Sequence, residues 1–213
     1  MPVLEVFADV VCPFAHVGLR LAKERRDEVG MTGQSMWIRA WPLELVNGKP
    51  QDPTAVALHI SELRKQIDPK LFAGFRPSAF PASTLPALSL AAQAYRQDPA
   101  VGEAASLALR YALFEEGRDP SNADVLRQIS EQVGLEDMQF GDHRLVLQEW
   151  HEGQRRGVEG SPHFFCKGMN SFCPSLDISR DEQGHSRIRL DRARLDRFLD
   201  ACFLGDDSGA GQG

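Results

Sequence analysis

"ADVVCPFAH", residues 8–16, is the stretch on which the fold turns. The residues leading into it, 3–8, alternate or run apolar, with the β-branched and aromatic content of a buried strand. Pro13 then stands where proline opens helices, because the N–H it lacks has no intrahelical partner at that position. Val17, Leu21, Glu24 and Val29 continue a helix, and Gly30 ends it. "SMWIRAWPLEL", from residue 35, reads as a second strand stopped by Pro42. Strand, helix and strand in this order form a βαβ unit, which predicts parallel pairing and a right-handed crossover.

The middle of the chain changes character. Asp-Pro pairs stand at 52–53, 68–69, 98–99 and 119–120, and Asp as N-cap before Pro at the first helical position is a start signal. Helices are predicted over about 53–67, 84–97, 99–116, 122–133 and 137–156. "SLALRYALFEEG" has the apolar spacing of a core helix and is closed by Gly117. The α/β frame resumes at "GVEGSPHFFCKG". "HFFC" is a short strand, Lys167 to Asn170 a turn and "SFCPSL" a paired strand, with 187–190 extending the sheet edge. "DRARLDRFLDACFL" is a closing helix with Leu195, Phe198, Leu199, Cys202 and Phe203 on one face. The expected organisation is an α/β domain of residues 1–49 and 157–204, an inserted helical domain over 50–156, and a disordered tail over 205–213. No internal repeat is present.

Composition narrows the function classes. The chain has 213 residues, 42% hydrophobic and 25% charged, an ordinary globular balance. A net charge of −6 argues against non-specific nucleic-acid binding, and "KERR" at 23–26 reads as the solvated face of a helix. No apolar stretch approaches the ~20 residues of a membrane span. "MPVLEVFADV" has neither the basic n-region nor the small-residue cleavage site of a signal peptide, so the expected location is cytoplasmic. Four cysteines in a reducing compartment argue against a disulfide framework, and each is judged on its own surroundings.

Cys12 is the first candidate for chemistry. A helix N-terminus presents free N–H groups and a partial positive charge, which lower a thiol pKa and make the sulfur nucleophilic. His16, one turn on, would help if protonated. The bland alternatives are a packed structural cysteine or a decayed site. Ala15 stands where a Cys-x-x-Cys motif carries its second sulfur. Ser161-Pro162, flanked by Gly157 and Gly160 and followed directly by a strand, is the second candidate: a cis X–Pro bond, or an ordinary trans turn.

"DVVCPFAHVGL" followed much later by "GVEGSPHFF" resembles the DsbA-like branch of the thioredoxin superfamily. The resemblance covers essentially 3–204. It includes "ALFEEGRDPSNADVL", similar to the insertion of DsbA-like and kappa-class glutathione transferase proteins. It implies an α/β thioredoxin fold with a large helical insertion, Cys12 as nucleophile and Pro162 as the cis-proline facing it. The backbone at Ser161 would then pair with an extended thiol substrate, and Pro13, Phe14, His16, Ser161 and Pro162 would form the substrate- and thiol-binding set. Two departures stand out. Ala15 removes the in-motif disulfide. The kappa transferases and 2-hydroxychromene-2-carboxylate isomerases typically carry serine at the first motif position and a Gly-x-Asp-Arg segment after the cis-proline strand; here the residues are Cys12 and "CPSLDIS".

Cys166 and Cys173 bracket the expected hairpin turn. They are either a resolving or second redox pair facing each other across it, or two small buried apolar residues. A zinc site of Cys166, Cys173, His163 and His185 matches no ligand spacing, and no metal is expected. Cys202 reads as core. His59, His143 and His151 have no evident partner, and Trp37, Trp41 and Phe14 are candidates to line a cleft beside Cys12 or simply to pack. The expected function is a DsbA-like thiol–disulfide oxidoreductase working through Cys12 mixed disulfides. It would need no tightly bound cofactor and would use a low-molecular-weight thiol as co-substrate. The alternatives are a kappa-like thiol-dependent transferase or isomerase on a small electrophile, and a non-catalytic ligand- or peptide-binding protein. The kappa-like relatives also make a homodimer an expectation.

Overall fold

The computed structural model describes residues 4–180 and 186–204. Strand β1 (Glu5–Ala8) pairs in parallel with β2 (Trp37–Ala40), from Glu5 opposite Trp37 to Ala8 opposite Ala40. Helix α1 (Pro13–Glu28) connects them, so the βαβ unit forms where the sequence predicts it. After the helical segment, β3 (His163–Cys166) runs antiparallel to β1, and β4 (Met169–Phe172) antiparallel to β3. The sheet order is β2-β1-β3-β4. This mixed sheet with a long helical insertion is the thioredoxin-like arrangement that the resemblance implied.

Helix α2 (Leu43–Asn47) occupies residues expected to end the second strand. Pro42 stops the strand, and Gly48, at φ +67, closes the new turn in the left-handed region. The insertion supplies α3 (Pro53–Gln66), α4 (Leu85–Gln97), α5 (Pro99–Phe114), α6 (Ala123–Val133) and α7 (Arg144–Arg155). Asp52 and Asp98 cap α3 and α5, accepting from Thr54 N–H and from the Ala100 and Val101 N–H groups. The other two Asp-Pro pairs make turns. Asn122 caps α6 instead, accepting from Asp124 and Val125 N–H. The predicted start of α7 at 137 is early, because Asp137 (φ 50) and Gly141 (φ 77) take left-handed conformations that no helix contains.

The C-terminal sheet differs from expectation. Lys167 (φ 48) and Gly168 (φ 84) alone form the β3–β4 turn, both left-handed as a two-residue hairpin requires. Strand β4 therefore starts at Met169 and stops at Phe172. Cys173, itself at φ 44, turns the chain, and Pro174 offers no N–H to continue the ladder. Residues 187–190 do not extend the main sheet. They belong to β6 (Ser186–Leu190), which pairs antiparallel with β5 (Leu176–Arg180) in a separate two-stranded sheet. Helix α8 (Arg192–Phe203) follows as predicted. The tail over 205–213 and His185 lie outside the described residues.

A single apolar cluster joins frame and insertion. It holds Val6 of β1, Leu19 of α1, Phe164 of β3, Leu199 of α8, Leu90 of α4 and Leu113 of α5. Polar groups lock α4 and α5 onto β2. Tyr95 OH donates to the Met36 carbonyl at 2.8 Å and accepts from Ile38 N–H at 2.9 Å. Glu103 accepts from Arg26 at 2.8 Å and from Met36 N–H at 2.6 Å, all three residues buried. On the other sheet face Phe7, Trp41 and Val158 form a smaller cluster under α7. Gly153 permits that approach, since a Cβ there would stand 2.6 Å from the Trp41 ring. Among the described residues no helix is long and apolar enough to cross a membrane.

Candidate active site

The site forms where β1 hands the chain to α1. Cys12 is the N-cap residue, extended at φ −81 and ψ 112, with Pro13 opening the helix. Its carbonyl accepts the first helical bond, from His16 N–H at 3.1 Å. Three residues earlier, Asp9 organises the turn. Its Oδ1 accepts from Val11 N–H at 3.2 Å, and its Oδ2 accepts from Leu43 N–H at 2.6 Å and from Thr84 Oγ1 at 3.3 Å. Its own N–H donates to Ser161 Oγ at 2.9 Å. One buried residue thus binds the cysteine turn to α2 and the start of α4 through its carboxylate, and to the loop before β3 through its backbone N–H.

The Cys12 thiol donates to the Ser161 carbonyl oxygen at 3.0 Å, and the Ser161–Pro162 peptide is cis. Cys12 and Ser161 therefore meet across 149 residues of chain. Cys12 as a whole is only 4% exposed. Burial pushes its pKa up; the Ser161 side chain and the Ala15 and Phe14 N–H groups pull it back without winning, and Asp9 adds to the rise. The sequence predicted the opposite direction. The helix N-terminus acts as expected, but water exclusion outweighs it.

Burial likewise raises Asp9, to about 6, against the Leu43 and Val11 N–H bonds and the charge of Arg110. Arg110 is fully buried on α5, donating to Ser106 O and Oγ and to the Ala8 carbonyl. Burial draws its pKa down to about 10, so it stays charged at neutral pH. Sequence reasoning missed both residues. The available signal was an acid inside the apolar run "VFADVV" and an arginine inside "SLALRYALF".

His16 does not serve as a protonated helper of Cys12. Its Nε2 bonds Glu115 Oε1 at 2.9 Å, and its ring packs on Phe72 at 5.4 Å and Phe114 at 4.9 Å. Burial holds its pKa down despite Glu115. Glu115 is pushed up by burial, but the bonds from His16, Phe72 N–H and Ala73 N–H overcome this and leave it low. A neutral imidazole donating to an ionised carboxylate satisfies both directions. Phe14 lies against the His59 ring at 5.1 Å, so the helical segment reaches the motif through that pair. Trp37 stacks on Tyr95 and Trp41 packs against Phe7; both are packing residues.

The cysteine pairing is corrected outright. Cys166 bonds to Cys202, with Cα atoms 5.8 Å apart, joining β3 to α8. It does not face Cys173. The short turn places Met169 opposite Cys166, and Cys173 instead lies across from Pro162, donating its N–H to the Pro162 carbonyl at 2.9 Å. Cys202 is core, as read, but as half of a disulfide. Cys12 and Cys173 are the free cysteines, both buried. Burial pushes the Cys173 thiol up to about 12; a charge on Cys12 adds to this and Arg194 opposes it. His163 is engaged at both nitrogens, accepting from Glu159 N–H at 3.0 Å and bonding Asn170 Oδ1 at 3.1 Å. With Cys166 also committed, the zinc set considered from the sequence is dismantled.

The family model of the DSBA-like thioredoxin domain matches residues 3–182. Two solved structures are similar in fold. A crystal structure described as "a putative protein disulfide isomerase from Nitrosomonas europaea" is 15% identical, with TM-score 0.63, covering 96% of this chain and 98% of its own. A 2-hydroxychromene-2-carboxylate isomerase is 19% identical, with TM-score 0.57, covering 79% of this chain and 87% of its own. No curated protein matches the chain in sequence.

Proposed function

The chain belongs to the DSBA-like thioredoxin domain family, and from that premise we propose that it is a thiol–disulfide oxidoreductase whose nucleophile is Cys12. The observation that carries this reading is the 3.0 Å contact between the Cys12 thiol and the Ser161 carbonyl. It sets a sulfur at a helix N-terminus against the backbone where an extended thiol substrate would pair.

In the covered state the thiol keeps its proton. Opening of the site to water relieves the burial penalty and leaves the Ala15 and Phe14 N–H groups, which favour the thiolate. The thiolate attacks one sulfur of the disulfide R–S–S–R′. The Cys12–S–R bond forms, the original S–S bond breaks, and R′S⁻ leaves with the electron pair. A low-molecular-weight thiolate then attacks the R sulfur, forming a new disulfide and returning Cys12 as thiolate.

One observation favours a second reading. A thiol that stays protonated and donates a hydrogen bond can donate it to a bound thiolate, as serine does in kappa-like transferases. Cys12→Ser separates the two. Reduction of 2-hydroxyethyl disulfide by glutathione should be lost in Cys12→Ser, at least a hundredfold below wild type. An undiminished rate would overturn the oxidoreductase reading. Retained glutathione transfer to 1-chloro-2,4-dinitrobenzene in the variant would establish the second.

A further inference from the structure

Cys173 is a buried thiol to which the fold gives no structural bond. Cys166 is held by Cys202 on the α8 side of β3, so it is not available to Cys12. Cys173 is placed differently. Its N–H is bonded to the Pro162 carbonyl at 2.9 Å, while the Cys12 thiol is bonded to the Ser161 carbonyl at 3.0 Å. The Cys12 thiol and the Cys173 backbone thus hang on adjacent carbonyls of one loop, and a charge on Cys12 is felt at Cys173. Phe164, two residues past Pro162 on β3, meets α1 at Gly18, so the helix that Cys12 caps packs on β3 just beyond this loop.

The local backbone points the same way. Cys173 sits at φ 44, where glycine or asparagine is the ordinary choice and a cysteine is strained. Arg194 of α8 holds the turn in place, donating to the Cys173 carbonyl at 2.7 Å, to that of Pro174 at 3.0 Å and to that of Leu176 at 2.7 Å.

Building on the oxidoreductase reading above, we infer that Cys173 is the resolving thiol for Cys12, standing across the Ser161–Pro162 loop in place of the sulfur absent at position 15. Cys173 Sγ, releasing its proton to water as the site opens, attacks Cys12 Sγ of the mixed disulfide. The Cys12–Cys173 bond forms, the Cys12–S–R bond breaks, and RS⁻ leaves with the electron pair and takes up a proton from water. One substrate disulfide is reduced and two protein thiols are oxidised. Two equivalents of a low-molecular-weight monothiol restore them and leave as its disulfide.

The test treats the full-length protein, with Cys12 and Cys173 reduced, with glutathione disulfide, quenches with an alkylating agent at intervals, and maps every cysteine by peptide mass. Wild type should carry glutathione on Cys12 only transiently and accumulate a Cys12–Cys173 link. Cys173→Ser and Cys173→Ala should hold the Cys12 adduct at least tenfold longer. An adduct as long-lived in wild type as in the variants, with no such link, overturns this assignment and leaves the oxidoreductase reading standing. No adduct and no link at Cys12 in any form overturns both. The wild-type map needs no variant, so it decides the matter even if a substitution unfolds the chain.

Discussion

A helix N-terminus and a dry pocket make opposite demands on a thiol, and at Cys12 the pocket wins. The expected consequence is slow labelling: at pH 7 iodoacetamide should modify Cys12 at least tenfold more slowly than a cysteine in an unstructured peptide, with the rate still rising above the ordinary thiol range of ~8.5. A plateau below pH 7 would contradict the burial argument. Asp9 gives a second prediction. Its folded pKa, about 6, lies above the unfolded carboxylate value of 3.8. The unfolded chain therefore ionises first, and the Asp9 contribution, full below about pH 4, is lost as pH rises through about 6. Comparing Asp9→Asn with wild type in urea at pH 4 and pH 7 should shift the stability difference toward the variant by on the order of 3 kcal/mol at the higher pH. Cys12 and Pro13 were legible because a strand-to-helix junction announces itself locally. Asp9 and Arg110 were not, because Arg110 meets the Ala8 carbonyl across 102 residues, and no local pattern encodes such a meeting.

The same dipeptide, Asp-Pro, opens a helix twice and a turn twice, and the following residues decide which. After Pro53 and Pro99 the chain is rich in alanine and leucine, whereas Phe72 adopts φ 60 shortly after Pro69, and Asn122 takes over the cap after Pro120. Helix boundaries were therefore read well where cap and composition agreed, and missed at α2 and α7, where left-handed residues set the ends. The α4–α5 contact depends on one absent side chain. A Cβ at Gly102 would lie 2.2 Å from Tyr95 Cγ, and the Tyr95 hydroxyl is tied to Ile38 of β2 and to Met36 just before it. Gly102→Ala should lower stability by about 1–3 kcal/mol, overpacking outweighing the ~1 kcal/mol gain in helix propensity. A raised melting temperature in calorimetry would show that the ring yields.

At the scale of the whole molecule, order of elements was legible and closure was not. The sequence places a βαβ unit, a helical stretch and a returning hairpin in line, but nothing local says that Glu103 will cap β2 or that Cys166 will find Cys202. Cysteine use was misread for a physical reason: pairing depends on strand register, and a two-residue turn where four residues were expected changed which side chain faced which. The disulfide closes a loop of sequence separation 36, for which chain entropy gives roughly 3–5 kcal/mol. Cys202→Ala should cost about that much in guanidinium unfolding, and a loss below about 1 kcal/mol would mean that α8 docks by packing alone.

Two thiols sealed inside a folded chain also make the protein its own stopwatch. A chromogenic thiol reagent added to the native protein finds almost nothing to react with; the same reagent in denaturant finds two sulfurs. Under native conditions colour can therefore appear only as fast as the molecule breathes. Each sulfur times its own opening: Cys12 that of the contact with the Ser161 loop, Cys173 that of the turn whose carbonyl Arg194 holds.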